Sequence, residues 1–330
     1  MPALRLIVCC VALVIAGAAN TQSCAQTSAQ TWPTRPIRLI VPTGAGAATD
    51  IMARLLADGI GRGLGQPVVV ENMPGASGIV AHQAMARAQP DGNTLLFTNT
   101  SGLGVNLISF KHLPYDPTRD FTAVAMVCSL GPQMLSVTAE LPVTTVAELV
   151  AYAKAHRGQL SIAYDTTAGA GAFAAKLLNR RADVGLVEVP YRSAAQMTQD
   201  VAGGTVQVMM TSIAAARAVV DGGKVRRLAV TSASRFPGLP DLPTVSETIP
   251  GVVMNGWFAV VAPTGTPATV VARLNREIAA YLKGPEVQPK LLLFGLATEG
   301  AGTPETTAAF IRDEQAQWRA LAKELDVEPQ

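Results

Sequence analysis

The sequence predicts an α/β protein of two lobes, each a mostly parallel sheet flanked by helices, closing as a clamshell. Three observations predict it. From Arg35 onward short β-like runs alternate with helical ones, the pattern of parallel strands joined by crossover helices. A second alternating set begins after Pro132, and the tail beyond residue 250 carries helices with too little sheet to stand alone, so it must return to the first set. At 330 residues, 49% hydrophobic and 15% charged, the chain can fill two cores and is no disordered polymer.

The first element stands outside the fold. Met1–Arg5 carries one positive charge, and Leu6–Ala19 is an almost unbroken apolar run, shorter than the roughly 20 residues of a membrane span. Ser23-Cys24-Ala25 puts small residues where a signal peptidase reads, so residues 1–25 are expected to be an export signal cleaved after Ala25. An uncleaved anchor is the alternative; lipidation at Cys24 lacks the apolar, small-residue run that should precede it. Cleavage removes Cys9, Cys10 and Cys24 and leaves Cys128, so the mature chain can form neither an internal disulfide nor a cysteine metal cluster. Cys128, in Ala125-Met126-Val127-Cys128, reads as a small core residue.

Ile37–Val41 reads as a buried strand that passes through the small-residue loop Pro42–Thr49 into a helix over Asp50–Gly63. Pro67–Glu71 is a strand, Asn72-Met73-Pro74-Gly75 a turn, Ile79–Arg87 a helix, and Thr94–Phe97 a strand ending in the polar loop Thr98–Gly102. The second set gives strands at Met134–Val137, Ser161–Tyr164, Leu186–Pro190, Val206–Met210 and Arg226–Thr231. Helices at Thr145–His156, Ala172–Arg181, Ala194–Ala202 and Ala214–Asp221 alternate with them. After the Pro-rich connection Ser234–Pro250 come a strand, Asn255–Val261, and helices at Thr269–Leu282, Val287–Phe294 and Pro304–Leu325. The chain should cross between lobes near Leu130-Gly131-Pro132 and again near Met254-Asn255-Gly256. That assigns residues 26–131 plus 255–330 to lobe 1 and 132–254 to lobe 2, with the paired crossings as a hinge.

Ligands of such sheets collect at the carboxyl ends of strands. The candidates there are Thr43, Gly44, Ala45, Gly46, Ala47, Thr49 and Asp50, with Thr98, Asn99, Thr100 and Ser101, all from lobe 1. Lobe 2 offers Tyr164, Asp165, Thr166, Thr167 and Ala168, joined by Tyr191 and Thr211. A helix start without bulky side chains aims unpaired amides at one spot, which suits an anion. Asp50, in the first helical turn, reads as a capping or dipole partner, with contact to a cationic ligand group as the alternative.

Other chemistries fit less well. Gly44-Ala45-Gly46-Ala47-Ala48-Thr49 approximates a dinucleotide loop and Glu71 stands roughly where a ribose-binding acid belongs. Yet Thr49 replaces the third Gly or Ala, and Pro42-Thr43 intervenes between strand and first glycine. No G-x-S-x-G elbow occurs, although Gly75-Ala76-Ser77-Gly78 sets a serine among small residues. His82, His112 and His156 share no helical face, His-x-x-x-His is absent and the carboxylates are scattered. No catalytic residue, metal or cofactor is assigned. A net charge of +2 without Lys/Arg runs or an aromatic ladder speaks against nucleic acid.

Several further motifs stand in one order along the chain. They are Trp32-Pro33-Thr34-Arg35-Pro36-Ile37 with Ile40-Val41-Pro42 and Ala48-Thr49-Asp50, then Leu64-Gly65-Gln66-Pro67 through Asn72, Pro90-Asp91-Gly92 and Leu113-Pro114-Tyr115-Asp116-Pro117. Val189-Pro190-Tyr191, Leu228–Ser232, Leu242-Pro243-Thr244-Val245, Trp257-Phe258 and Ala262–Pro267 continue the series along nearly the whole mature chain. Together these motifs resemble the substrate-binding receptors of tripartite tricarboxylate transporters, the Bug family. The resemblance implies a periplasmic-binding-protein fold and a receptor that captures a small carboxylate and presents it to membrane permease subunits. It implies a grip by backbone amides and hydroxyls of the loop after the first strand, completed by facing loops of lobe 2. A sensor that docks to a membrane partner would share the fold; a monomer is expected.

The chain departs from the family pattern within these loops. Thr43 replaces a usual Phe, Gly44, Ala45 and Ala47 replace Pro-rich and paired-glycine residues, Ala172 stands at a usual His, and Gln207 and Thr211 at frequent acidic positions. Tyr164 and Asp165 are expected to add bulk and negative charge to the rim. On these grounds the ligand is expected to be a monocarboxylate, aromatic or amine-bearing, and not a tricarboxylate.

Overall fold

The computed structural model describes residues 32–165, 169–191 and 193–329. The export signal with its cleavage point, Thr166, Thr167, Ala168 and the side chain of Asp165 lie outside the described residues.

The strands are β1 (Ile37–Val41), β2 (Val68–Asn72), β3 (Thr94–Asn99), β4 (Phe121–Thr138), β5 (Ser161–Asp165), β6 (Val187–Tyr191), β7 (Val208–Ser212), β8 (Val225–Val230) and β9 (Asn255–Pro263). The helices are α1 (Ala48–Leu64), α2 (Ile79–Ala86), α3 (Asn106–Ser109), α4 (Val146–Ala155), α5 (Ala170–Ala182), α6 (Ala194–Ala202), α7 (Ile213–Asp221), α8 (Ala268–Leu282), α9 (Val287–Leu293) and α10 (Pro304–Glu324). Local chemistry sets many of their ends. The Thr145 hydroxyl and the Glu148 carboxylate cap each other's backbone at the start of α4. Thr303 caps α10, which has Pro304 in its first turn, and α1 stops at the left-handed Gly65.

Nine strands form one sheet in the order β2-β1-β3-β9-β4-β7-β5-β6, with β8 also on β4. The expected strand over Met134–Val137 is the last part of the 18-residue β4. Gly131-Pro132 reads as a break in sequence, yet here β4 only changes partners: Gly131 and Pro132 still pair with Gly256 and Asn255 of β9, and Gln133 pairs with Ser212 of β7. The expected mostly parallel sheets are mixed. β1, β2 and β3 run parallel, as do β5, β6 and β7, but β4 and β9 run antiparallel to their neighbours because each is a crossing between lobes.

Register fixes which way each strand points. In lobe 1, β9 begins at the crossing and runs outward, and β3 pairs antiparallel to it with Asn99 opposite Phe258, so β3 ends at the crossing and parallel β1 and β2 end with it. In lobe 2, β7 ends with Ser212 opposite Gln133, and β5 and β6 run parallel to it. The carboxyl ends of both parallel sets therefore aim at the crossing from opposite sides.

Two cores form, and the second also takes in Val105 and Ile108 from the segment after β3. Ile40, Leu96, Met126, Trp257 and Val261 pack in the first, and Leu135, Ile162, Phe173, Leu178 and Met210 in the second. The helix α10 serves both: Ile311 lies in the first core, while Trp318 meets Phe173 edge to face at 5.0 Å in the second. The tail thus pairs through β9 with β3 and β4, and its last helix also meets the second core.

Candidate functional site

On lobe 1 the loop after β1 leaves Gly44, Ala45 and Gly46 exposed, with Thr43 and Ala47 half-buried and Thr49 and Asp50 buried. Asp50 organises the loop. Its Oδ2 accepts the Gly46 amide at 2.8 Å and Arg54 Nε at 3.1 Å, and its Oδ1 accepts Asn72 Nδ2 at 2.8 Å and Arg54 Nη2 at 3.0 Å. Asn72 also donates to the Thr43 carbonyl at 3.0 Å, which ties the ends of β1 and β2 together. Burial alone raises the Asp50 carboxyl, but the bonds from Arg54, Gly46 and Asn72 together outweigh it and hold it down to about 2. Its charge is cancelled by Arg54 at the loop itself. Ala47 at the cap position supplies no side-chain cap, so the first amides of α1 are left to solvent or a guest.

The same geometry weighs against a dinucleotide. The Gly46 amide is committed to Asp50, and a buried carboxylate stands at the helix start that a diphosphate requires.

After β3 the four candidates separate. Thr98 is fully buried and its hydroxyl meets His82 Nε2 at 2.8 Å. His82 Nδ1 faces the Gly78 carbonyl at 2.8 Å, so the ring donates there and accepts from Thr98. Burial pushes the imidazole down to about 4, and the Gly78 bond opposes this only in part, which keeps it neutral. Thr98 is therefore an anchor beneath the rim and its side chain faces away from it. Asn99 accepts the Gly102 amide at 3.1 Å, and the Thr100 hydroxyl accepts the Trp257 amide at 2.8 Å. Ser101 is half-buried and opens the wide turn Ser101–Val105. Gly102 must be glycine, since a Cβ would come within 2.0 Å of the His82 ring.

On lobe 2, two candidates turn away from the rim. Tyr164 is buried in the core and its hydroxyl donates to Glu188 at 3.0 Å; burial, then the Glu188 charge, pushes its ionisation up. The Tyr191 hydroxyl donates to Asp200 at 2.7 Å, and burial together with Asp200 pushes it up to about 12. The bulk expected of Tyr164 at the rim is absent because the alternating β5 pattern sends it into the core. Thr211, opposite Met134, is buried with an unpartnered hydroxyl.

Two features escaped the sequence reading. Ser129, Ser232 and Asn255, all next to the crossing, carry buried polar atoms with no partner, as does Thr43. Such atoms cost stability unless something polar meets them. Gly75, Ala76, Ser77 and Gly78 all adopt positive φ, with Asn106 donating to the Ser77 carbonyl at 3.2 Å and Gly78 packed on Pro42 beside the first loop. For Ala76 and Ser77 that is strain, and no residue type announces it. Cys128, the one cysteine among the described residues, is buried in the core and burial pushes its thiol up to about 11. Among the described residues no group of His, Cys, Asp or Glu could hold a metal ion.

The model of the tripartite tricarboxylate transporter family receptor matches residues 52–327. The chain belongs to that family. Among curated relatives of this receptor, BugT of Bordetella pertussis is 34% identical over 306 residues, which cover 91% of this chain and 92% of BugT. Among solved structures, Rpa4515 of R. palustris with adipate superposes with a TM-score of 0.81 at 35% identity, covering 91% of this chain and all of that one. MatC from Rhodopseudomonas palustris with bound malate gives 0.74 at 30% identity, covering 88% and 99%. The fold is the two-lobe periplasmic-binding-protein fold, and the receptor is a solute-binding one.

Proposed function

We propose that this receptor is exported through its first 25 residues, holds a small organic carboxylate between its rims, and presents it to the permease subunits of a tripartite transporter. The observation that carries the reading is the register: every parallel strand of both lobes ends at the one crossing, which is where such sheets bind ligands. The exposed amides of the Asp50-braced loop take the carboxylate, and the unpartnered hydroxyls of Thr211 and Ser232 meet it from lobe 2. The lobes divide at Gly131/Pro132 and Met254/Asn255, with α10 straddling the division. The receptor works by binding and not by catalysis, as a monomer.

The relatives that hold adipate and malate support linear dicarboxylates as first ligands to test. With Tyr164 in the core, the bulk argument for a monocarboxylate falls, and Asp165 alone supports it. Calorimetric titration of protein stripped of solute, with adipate, malate, citrate and benzoate in separate arms, is the test. Saturable binding of one acid supports the reading and names its class. Heat-stability gained from NAD with no response to any carboxylate would overturn it.

A further inference from the structure

Beside the crossing, a cavity of about 270 Å³ opens between elements of both lobes, and none of its lining residues belongs to the rim loops. Leu177 of α5, Met254 ahead of β9 and Trp318 of α10 give it apolar walls. Arg181 borders it but is fully engaged. Its Nε and Nη2 fork onto Glu324 at 2.9 and 3.0 Å, and Nη1 donates to the Pro250 carbonyl at 3.1 Å. The next residue, Gly251, lets the guanidinium lie there, because a Cβ would come within 1.7 Å of Nη1.

Two further groups of the lining offer acceptors. Glu314 lines the cavity and takes the Trp257 indole N–H at 2.9 Å, a neutral donor that leaves its charge uncancelled. Among the described residues no cation pairs with it. Burial pushes the Glu314 carboxyl above the usual carboxylate range, only partly offset by the indoles of Trp257 and Trp318. Asn255 Oδ1, also in the lining, is buried without a partner. A half-buried carboxylate without a counter-charge and an unpaired carbonyl in the same lining are both costly, and one ligand chemistry suits both.

We infer that this cavity is a second binding site, separate from the rims, for a small organic ammonium ion with an apolar body. The ammonium donates to Glu314 and to Asn255 Oδ1, and the apolar part packs on Leu177, Met254 and Trp318. The site is independent of what the rims bind.

The test uses the mature protein and 2-phenylethylammonium, with 2-phenylethanol and 3-phenylpropionate as neutral and anionic counterparts, by calorimetry or ligand-observed NMR. The ammonium binds saturably and at least about tenfold more tightly than either counterpart, the strength of one charge-assisted contact. Glu314→Gln, which keeps an acceptor for the Trp257 indole, weakens it by about tenfold or more. Ala320→Trp, an exposed α10 position at the cavity edge, plugs the cavity and abolishes binding. Thermal midpoints and near-ultraviolet dichroism without ligand report whether each variant folds, and Ala320→Trp carries the test if Glu314→Gln does not. No saturable binding to the wild type, equal binding of the alcohol, or ammonium binding unchanged in the folded variants would each overturn the inference. So would binding that persists in Ala320→Trp but vanishes in Asp50→Ala, which would place the probe at the rims.

Discussion

The two rims that face the crossing hold their polar groups in opposite ways. On lobe 1 the side chains are spent on the loop itself: Asp50, Arg54 and Asn72 brace it, His82 and Thr98 anchor it from below, and what it shows outward is backbone. On lobe 2 the tyrosines are tied to Glu188 and Asp200, while the hydroxyls of Thr211 and Ser232 are buried and unpaired. A braced backbone surface grips any carboxylate, whereas unpaired side-chain hydroxyls reward only a ligand that reaches them. On the proposed reading, lobe 1 supplies the general grip and lobe 2 the choice among acids.

Removing the brace should have the largest effect. Asp50→Ala leaves the Gly46 amide, Asn72 and the half-exposed Arg54 without their shared acceptor, so we expect about 3 kcal/mol of stability lost, of the order measured when a buried charged hydrogen-bond partner is removed. Carboxylate affinity should fall roughly 30-fold or more, because the amides lose their fixed positions. Urea unfolding and calorimetry measure the two. The same carboxyl gives an acid signature. Its folded value lies near 2 against 3.8, so its contribution is whole above about pH 4 and is lost as pH falls toward 2, and Asp50→Asn should lack that loss.

The lobe 1 rim can also be loosened from below. His82 sits near 4 in the fold against 6.5 unfolded. Its depressed value means the stability is complete above pH 6.5 and declines as pH falls to about 4, by roughly 3 kcal/mol at most for a group so buried. The urea midpoint of the wild type followed from pH 7 to 4 should decline accordingly. His82→Phe, less stable at neutral pH because Thr98 and the Gly78 carbonyl lose their partner, should be flatter across that range. Equal slopes in the two proteins would show that His82 does not carry the decline.

The lobe 2 rim should respond in the reverse sense. Thr211→Val and Ser232→Ala delete hydroxyls that have no partner, so stability should hold or rise by up to about 1 kcal/mol. Acid affinity should fall about tenfold, or 1.4 kcal/mol, in each variant if these hydroxyls meet the ligand. Unchanged affinity in both would move the choice among acids to another part of lobe 2.

How much of this was legible in the sequence follows the same division. The alternation of strands and helices and the small-residue loop at Thr43–Ala47 follow from local signals: apolar period, glycine, proline and caps. The unbroken β4 was hidden because Gly131-Pro132 punctuates a strand that changes partners without ending, a matter of tertiary pairing. Asp50 reads from its place in the first helical turn as a capping or dipole partner, whereas its bond to Asn72 at the end of β2 joins residues far apart in sequence. The burial of Thr98 and Tyr164 was not legible, because a single strand shows which residues share a face but not which face is covered. The strained Ala76-Ser77 pair and the unpaired hydroxyls of Ser129 and Ser232 depend on distant partners and leave no local mark.

The smallest effect belongs to Tyr164, and it separates core from rim most cleanly. Its hydroxyl donates to Glu188, a half-buried carboxylate that water can still reach, so Tyr164→Phe should cost only about 1 kcal/mol. The ring remains among Leu135, Ile162 and Met210, so the packing of the lobe 2 core is kept. Because the side chain lies on the covered face of β5, carboxylate affinity should stay within about twofold of the wild type, well under the tenfold that one direct contact is worth. A tenfold change in Kd at unchanged stability would bring Tyr164 back to the rim, and would restore the bulk argument for a smaller, singly charged acid.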